Sequence, residues 1–492
     1  MWRRFGCDVT HKQSMETTCV SSSAAKGAVT VADSIVRIHA YRSPKSAINP
    51  YKRGESKKSV GSGFFLPPRS GEPFAVVTCA HVVQEAHRVT LILPTVSSEE
   101  VTATVAMIVP KYDLAVVVSD LKELDSKSKA AIRGVRLGDS DTLEPGTHLY
   151  AIGFPLGQRG IKVTDGVFSG QEGTNLQHSV PISGGNSGGP IMVRSKGDFE
   201  VVGVNSSGIV SRGANNIAYA IPIELLKRSM VLGRDGGVVK HVPAFGVETG
   251  NAPKDLVDAL HGKGCPEGIY VQRVITGSPA DAAGIVEGTI ICSFDGHKID
   301  SNSEVRVSWN KQKIGVDVLM HRACDSRKEY VFQVTMPEGE LRKLRLRPSS
   351  DFIRGPMREV WPPYERFEYV ALGGVVMMNL CTNHISESSK IAMACMALPF
   401  ECMNSPRVVV VDVVAGTMAY QKKGLAQGDL VEMLNGQKVR TLDDVRDALR
   451  DHTREFVVWK CRDGKLYAEK TETILKHDAG QKTYDAFPLS VQ

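Results

Sequence analysis

The 492-residue sequence lacks the features that mark several broad classes of protein. Its ten cysteines are scattered and include no C-x-x-C pair, which argues against a small disulfide scaffold and against a zinc site. No uncharged apolar run is long enough to cross a bilayer. The 60 basic and 54 acidic residues leave a net charge of +6, too small for a dedicated nucleic-acid binder. We therefore expect no metal, no other cofactor, no nucleic-acid partner and no integral membrane segment.

The composition changes along the chain and divides it into a leader and folded units. Residues 1–27 are rich in Ser and Thr and lack the apolar centre of a secretory signal, so we expect a disordered leader or a targeting segment. Residues 28–230 hold many short alternating runs separated by Gly, Pro and Asn, which predicts an all-β barrel or sandwich. Within it, the basic stretch Ser43–Ser59 is predicted to be a solvated loop, with a docking patch as the alternative.

The second half of the chain contains an internal duplication. The string VQRVITGSPADAAGIVEGTIICSFDG aligns with VVDVVAGTMAYQKKGLAQGDLVEMLNG, so a strand, a short helix, a strand and a tight turn occur twice. We predict one unit over 240–336, a basic, proline-closed linker over 337–366, and a second unit over 367–492 with a C-terminal tail. Thr441 and Asp444 predict a capping box at the start of a helix.

Three residue types needed for nucleophilic catalysis occur in matching contexts. Ser187 lies between glycines in SGGNSGGP, so its hydroxyl projects from a tight turn, and the amides of Gly185 and Ser187 can hold an oxyanion. His81 ends one strand run and Asp113 begins another. A serine hydroxyl needs an imidazole to take its proton and a carboxylate to orient that imidazole. The pattern therefore predicts a catalytic triad.

The strings GSGFFL, AHVV, YDLAVV, AIGFPLG, GNSGGP, GVNSSG and AYAIPIE resemble those of chymotrypsin-type serine proteases. The absence of paired cysteines near His81 and Ser187, together with two C-terminal modules, resembles the HtrA/Deg family, especially its eukaryotic Deg branch. The resemblance implies a mainly β fold, with a chymotrypsin-like double β-barrel protease domain followed by two PDZ-like α+β domains. It covers nearly the whole chain apart from the leader.

The resemblance also implies further site residues. It assigns substrate-backbone binding to Asn205, Ser206 and Ser207, and a PDZ carboxylate-binding loop to Phe245, Gly246 and Val247. A trypsin-like pocket would carry an acid about six positions before the serine, where this chain has Pro181, so cleavage after Lys or Arg is disfavoured. Loops 171–175, 178–183 and 207–216 are expected to switch the oxyanion site.

The implied activity is that of an ATP-independent serine endopeptidase that cleaves unfolded or damaged proteins through an acyl-enzyme. No G-x-x-x-x-G-K-[ST] nucleotide loop occurs. Two alternatives stay open: a chaperone or scaffold with a resting protease core, and a processing protease that cuts one defined partner. Expected partners are polypeptide substrates, C-terminal peptides on the first PDZ-like domain, and further copies in a homotrimer or a multiple of trimers. The second PDZ-like domain is predicted to be structural.

Cysteine usage predicts the compartment. Residues 28–230 contain a single cysteine, Cys79, which has no partner within that unit. Packing beside His81 is favoured over a redox role for this thiol. We therefore predict an intracellular, reducing location such as the cytosol, the nucleus or an organelle matrix, including that of a mitochondrion or plastid.

Overall fold

The computed structural model describes residues 31–488 apart from short gaps. The gaps are residues 53, 98, 196, 209–216, 233–236, 260–264, 324, 355–357, 399–404 and 451–453. The predicted leader and most of the predicted switching loop 207–216 therefore lie outside the described residues. No helix of the described part is long and apolar enough to span a membrane.

Alternation of apolar and polar residues builds a first barrel, as β5 illustrates by burying every second residue from Val101 to Met107. Six antiparallel strands close in the order β1-β2-β3-β6-β5-β4. They are β1 Ile35–Arg42, β2 Lys57–Phe65, β3 Phe74–Cys79, β4 Ala86–Ile92, β5 Glu100–Val109 and β6 Leu114–Ser119, with helices α1 Ala80–Val83 and α2 Ser126–Ala131. Short 3-10 turns lie at Ala32–Ser34 and Pro110–Tyr112.

A second barrel follows in the order β11-β8-β9-β10-β13-β12 and closes where β11 pairs with β12. Its strands are β7 Arg136–Leu137, β8 His148–Gly153, β9 Lys162–Glu172, β10 Asn175–His178, β11 Pro190–Ser195, β12 Asp198–Gly208 and β13 Ala218–Pro222, and helix α3 spans Ile223–Leu232. Strand β7 adds to the outer edge of β12. Further 3-10 turns lie at Ser140–Thr142 and Pro155–Gly157. The mainly β fold with a double barrel is confirmed.

The middle unit is a sheet in the order β14-β15-β16-β20-β21, with β17 on β16 and a separate β18–β19 pair. The elements are β14 Val247–Asn251, α4 Lys254–Ala259, β15 Ile269–Val274, α5 Pro279–Ala282, β16 Ile290–Phe294, β17 His297–Lys298, β18 Glu304–Val307, β19 Asn310–Gly315, α6 Val316–Arg322, β20 Tyr330–Thr335 and β21 Leu341–Leu346. Strand β21 lies within the predicted linker and pairs along its whole length with β20. Four of its six residues are exposed and three of these are charged, as is usual for an edge strand, so the sequence resembles a linker. A 3-10 turn follows at Phe352–Arg354.

The third unit repeats this arrangement in the order β22-β23-β24-β25-β27-β28, with β26 on β25. The elements are β22 Val370–Leu372, β23 Val375–Asn379, α7 Thr382–Glu387, α8 Ser389–Met396, β24 Val408–Val413, α9 Met418–Lys422, β25 Leu430–Leu434, β26 Gln437–Lys438, α10 Leu442–Ala448, β27 Phe456–Cys461, β28 Leu466–Lys470 and α11 Thr471–Gly480. The predicted capping box of Thr441 and Asp444 begins α10 and is confirmed.

The basic stretch after β1 does not behave as the solvated loop that its charge predicts. Ala47 is fully buried in an apolar cluster of the third unit, and the Tyr51 hydroxyl donates a 2.5 Å hydrogen bond to Asp412. The two apolar side chains and the tyrosine ring of the motif AINPY outweigh its flanking lysines, because apolar burial stabilises more than exposed charge. The loop therefore joins the first barrel to the third unit.

Candidate active site

His81 lies in the short helix α1, directly after β3 and opposite the start of β6. Pairing of Cys79 with Leu114 brings the two strand ends together. The amide of His81 donates to Asp113 Oδ1 at 2.9 Å, and His81 Nδ1 lies 2.7 Å from Asp113 Oδ2. Because the acid holds both the backbone and the ring, the imidazole is fixed in orientation, with Nε2 facing away from the carboxylate.

Asp113 has a left-handed backbone, with φ of 53°, a conformation that Asp tolerates better than most residues. The Ser206 hydroxyl donates to its Oδ2 at 2.8 Å, in addition to the two hydrogen bonds from His81. Burial favours the neutral acid, but these hydrogen bonds outweigh it and hold the pKa of Asp113 below its usual range. The carboxylate is therefore charged at neutral pH.

Ser187 lies on a turn that only glycine-rich sequence can form. Gly185 and Gly188 have φ of 99° and 85°, and a Cβ on Gly188 would lie 2.2 Å from Thr78 Oγ1 and 2.3 Å from the Ser62 carbonyl oxygen. The Ser62 hydroxyl donates to the Gly185 carbonyl at 2.7 Å. The turn is therefore packed directly against β2 and β3 of the first barrel.

Two backbone amides of this turn remain available for a ligand. The Leu156 amide donates to the Gly184 carbonyl oxygen at 2.6 Å. Because the carbonyl and the N–H of a trans peptide point in opposite directions, the Gly185 N–H points away from Leu156. Within the described part of the chain, the amides of Gly185 and Ser187 have no acceptor. This arrangement can receive a developing negative charge.

The Ser187 hydroxyl donates a 2.9 Å hydrogen bond to the carbonyl oxygen of Ser206. Across the described ranges it makes no hydrogen bond to His81. The hydroxyl is therefore directed to the Ser206 carbonyl and not to the imidazole in this structure.

Comparison with known proteins agrees with this geometry. A trypsin-like peptidase domain model matches residues 61–204, and a PDZ domain model matches residues 409–460. A probable periplasmic serine endoprotease, DegP-like, from Marinomonas sp. is 28% identical over 82% of this chain and 76% of its own length. The serine protease Do-like HtrA of Bacillus subtilis is 29% identical over 58% of this chain and 65% of its own length. The chain belongs to the HtrA/Deg family. It is a serine-type endopeptidase.

A solved structure shares the fold of this HtrA/Deg protease. The HtrA-type protease AlgW with tripeptide is similar with a TM-score of 0.50 and 22% identity, over 66% of this chain and 96% of the solved chain. At that identity the likeness concerns the fold alone.

The predicted intracellular, reducing compartment is wrong for this HtrA/Deg protease. Relatives from Marinomonas sp., Chlamydia pneumoniae and Hahella chejuensis are named probable periplasmic serine endoproteases, which points to an extracytoplasmic compartment. The structure also pairs Cys265 with Cys292 as a disulfide, with their Cα atoms 5.5 Å apart. The prediction rested on the single cysteine of the protease barrels, Cys79, whereas the disulfide forms in the middle unit.

Three neighbouring side chains of the HtrA/Deg site are of types that bind metals. The ligand atoms of Cys79, His81 and Asp113 lie within 4.8 Å of one another. Each is already used, because Cys79 Sγ donates to the Asn205 carbonyl at 3.2 Å and His81 Nδ1 is held by Asp113. Burial, with the charge of Asp113, raises the pKa of the Cys79 thiol well above its usual value, whereas a metal needs the thiolate. The donor set does not fit a metal.

The predicted substrate-binding strand is only partly free in this HtrA/Deg protease. Both backbone groups of Asn205 are engaged, because its amide donates to Gly189 and its carbonyl accepts from Gly188. The prediction that Asn205 pairs with a peptide is therefore at odds with the structure. The Ser206 carbonyl holds Ser187, and Ser207 lies opposite Tyr219 in the register of β12 and β13.

The predicted carboxylate-binding loop lies at the start of β14, in the middle unit. The Phe245 side chain is buried in the core, Gly246 has φ of 82°, and Val247 begins the strand. A Cβ on Gly246 would lie 2.1 Å from the Ser278 Cβ, so glycine is required. In the described part of the sheet β14 pairs only with β15, which leaves its other edge open.

The sequence did not predict the roles of three supporting hydroxyl groups, one of them on Ser206, which was assigned only to substrate-backbone binding. Ser206 orients Asp113 through its side chain, Ser62 holds the Gly185 carbonyl, and Thr78 donates to the Ser62 carbonyl at 2.8 Å. The glycines beside Ser62 in GSGFFL were a usable signal, because a small polar residue between glycines suits close packing under a turn.

Proposed function

We propose that Ser187, His81 and Asp113 are the catalytic triad of this endopeptidase, with the amides of Gly185 and Ser187 as its oxyanion hole. The observation that carries the proposal is the pair of hydrogen bonds that the ring and the backbone of His81 donate to the Asp113 carboxylate. Because Nδ1 donates to Asp113, the lone pair of Nε2 is free to accept the proton of Ser187.

In the proposed reaction the Ser187 Oγ attacks the scissile carbonyl while His81 takes its proton. The two free amides stabilise the oxyanion of the tetrahedral intermediate. His81 then gives the proton to the leaving amine, which leaves an acyl-enzyme on Ser187. Water, deprotonated by His81, hydrolyses the acyl-enzyme and restores the serine. Asp113 stays ionised throughout and stabilises the imidazolium.

Substrate binding is proposed to release the serine from its resting contact. The Ser206 carbonyl accepts from Ser187 in the structure, and a peptide laid along β12 would offer a backbone N–H to that same oxygen. Transfer of the acceptor to the peptide frees the hydroxyl to turn toward His81. With Pro181 in place of a pocket acid, we propose cleavage after small or medium aliphatic residues rather than after Lys or Arg.

The substrates are proposed to be unfolded or damaged polypeptides, cleaved without ATP in an extracytoplasmic compartment. The proposed domains are a protease domain over 28–230, a first PDZ-like domain over 240–346, which includes β21, a linker over 347–366 and a second PDZ-like domain over 367–492. The first would bind C-terminal peptides at Gly246 and along the open edge of β14. We propose a homotrimer or a multiple of trimers, which light scattering of the purified chain tests.

The second PDZ-like domain is proposed to be structural. Its loop glycine, Gly374, has φ of 85° and abuts Thr417 as Gly246 abuts Ser278, so the two copies share one loop design. Strand β23, the counterpart of β14, is however paired on both sides, with β22 and with β24. A peptide therefore has no free edge to join there.

Digestion of casein by the wild-type chain and by Ser187→Ala tests the function. We expect the wild type to digest casein and Ser187→Ala to be inactive, while a fluorophosphonate labels Ser187 alone. Suppression of aggregation is measured on the same samples. Equal digestion by the two proteins would refute the triad, and equal suppression with no digestion by either would favour the chaperone alternative.

A further inference from the structure

The helix that carries His81 has carbonyl groups that it cannot satisfy itself. Helix α1 spans only Ala80–Val83, so the carbonyls at its end have no helical N–H to accept from. Arg42 Nη2 donates to the carbonyls of His81 and Val82 at 2.5 and 3.1 Å. The Tyr364 hydroxyl lies 2.8 Å from the Val83 carbonyl. Two side chains from outside the helix therefore hold three successive carbonyls.

These contacts fix the end of α1 that Asp113 does not reach. Asp113 accepts from the amide of His81 and, through its carbonyl, from the amide of Ala80. The helix is thus held at its start by Asp113 and at its end by Arg42 and Tyr364. Since α1 is a single turn, any shift of its end moves the imidazole relative to Ser187.

Tyr364 belongs to the segment that connects the middle and third units. Trp361, three residues earlier, is 9% exposed and packs in the core of the protease barrels. The Glu365 carboxylate accepts from the Trp361 amide at 3.1 Å and from Arg358, which closes the turn between them. Tyr364 therefore lies in a turn that is fixed by the burial of Trp361 and by the hydrogen bonds of Glu365.

The segments that carry Arg42 and Tyr364 both contact one short helix of the third unit, α7. Asn383 exchanges two hydrogen bonds with the backbone of Val360, at 2.8 and 3.0 Å, on the Tyr364 side. Glu387 accepts from the Ser46 hydroxyl at 2.7 Å and from the Ala47 amide at 3.0 Å, on the Arg42 side. Thus α7 contacts the two chain segments that carry Arg42 and Tyr364, the residues that donate to the carbonyls of α1.

We propose that Arg42 and Tyr364 are positioning residues for His81, and that α7 of the third unit holds both of them in place. The inference rests on the proposed catalytic role of His81 and adds a function for the third unit. The side-chain hydrogen bonds of Arg42 and Tyr364 in the described part of the structure go to α1 and Ala86, not to the predicted peptide strand β12. Their loss is therefore expected to slow acylation without weakening substrate binding.

The test compares Tyr364→Phe with Tyr150→Phe, on full-length protein and with a short peptide substrate. Tyr364→Phe keeps the ring and removes the hydroxyl, so we expect kcat to fall about fivefold at unchanged KM. Tyr150 is a half-buried tyrosine of the same barrels whose hydroxyl makes no hydrogen bond among the described residues, so Tyr150→Phe is expected to match wild type. Active-site titration with a fluorophosphonate corrects each rate for misfolded protein.

A second set of variants tests the arginine and the third unit. Arg42→Met is expected to lower kcat, and Arg42→Gln, which retains an N–H donor, to recover part of it. Asn383→Ala combined with Glu387→Ala should lower kcat in the same manner, far from the active site. Wild-type kcat in Tyr364→Phe and in the α7 double variant would overturn the inference.

One further variant separates this inference from the function on which it rests. His81→Ala is expected to be inactive. If His81→Ala retained wild-type activity, the proposed triad would fail. If His81→Ala were inactive while Tyr364→Phe and the α7 double variant both had wild-type kcat, only the positioning role would fail.

Discussion

Ser187 and Ser206 are joined by a 2.9 Å hydrogen bond from the hydroxyl of the first to the carbonyl oxygen of the second. The hydroxyl of the proposed nucleophile, Ser187, thus donates to the carbonyl oxygen that would accept from the backbone N–H of a bound peptide. The arrangement couples activation of the serine to occupation of β12.

This coupling is tested with N-methylated substrates. A peptide methylated on the nitrogen of the residue before the scissile bond cannot donate to Ser206, so we expect kcat/KM to fall about tenfold, the effect of one lost hydrogen bond. The same peptide methylated two residues beyond the scissile bond is the control. Equal kcat/KM values for the two peptides would contradict the proposed contact.

Ser206→Ala removes one of the hydrogen bonds to Asp113 and keeps the backbone. We expect kcat to fall about tenfold, because a hydrogen bond to a charged group is worth about 1.5–3 kcal/mol when buried and His81 still holds the acid. Ser59→Ala is the matched control, because among the described residues the Ser59 hydroxyl hydrogen-bonds only to the Ala40 carbonyl, at 3.4 Å. An unchanged kcat in Ser206→Ala would mean that the hydroxyl does not orient Asp113.

Stability is expected to fall in acid because of His178. This side chain is fully buried, neither ring nitrogen has a partner among the described residues, and burial lowers its pKa to about 4. Between pH 6.5 and 4 this histidine is protonated in the unfolded chain and neutral in the folded chain. The free energy of unfolding therefore falls as pH falls through this window, by up to about 3 kcal/mol.

Denaturant unfolding of His178→Leu at pH 7 and pH 4.5 measures this effect. We expect the variant to lose less stability between the two values than wild type does. His384, whose pKa burial also lowers to about 4, still contributes a part. His87→Gln, at an exposed histidine, should behave as wild type, and an identical loss in His178→Leu would contradict the prediction.

Gly246→Ala is expected to abolish binding of C-terminal peptides. The new Cβ would meet Ser278 at 2.1 Å in a backbone with φ of 82°, so the loop must move. Gly296→Ala has a similar φ of 85° but nothing within 4 Å, so it controls for backbone strain alone. Fluorescence anisotropy of a labelled peptide measures binding, and wild-type affinity in Gly246→Ala would exclude this loop.

The disulfide of the middle unit is expected to stabilise that unit. Cys265 and Cys292 close a loop with a sequence separation of 27, and such a loop contributes about 3.5 kcal/mol in the chain-entropy description. We expect a reductant to lower the midpoint of thermal unfolding of wild type and not of the double variant Cys265→Ala with Cys292→Ala. A peptide map without reductant should link these two cysteines, and two free thiols there would contradict the pairing.

The sequence was most informative where a short string fixes a backbone shape. The glycines around Ser187 and the runs that end at His81 and begin at Asp113 predicted residues that the fold does bring together. It was least informative where contacts join distant segments. Nothing local marks Tyr364 as a partner of α1, since about 280 positions separate them and no periodicity spans that distance.

Local charge also gave a wrong prediction of structure for two segments. The lysines around Ala47 predicted a solvated loop, and the arginines of Leu341–Leu346 predicted a linker, yet the first docks on the third unit and the second pairs along β20. In both cases a few apolar or backbone groups determine the structure, while the charged ends of long side chains remain in water.

Strand β23 is paired on both sides, whereas β14 is paired on one. Under the proposed function, the duplication therefore gives the chain two modules but a valency of one for peptide termini. Avidity for a substrate that displays several termini must then arise from association of chains, because the second copy adds no binding event of its own.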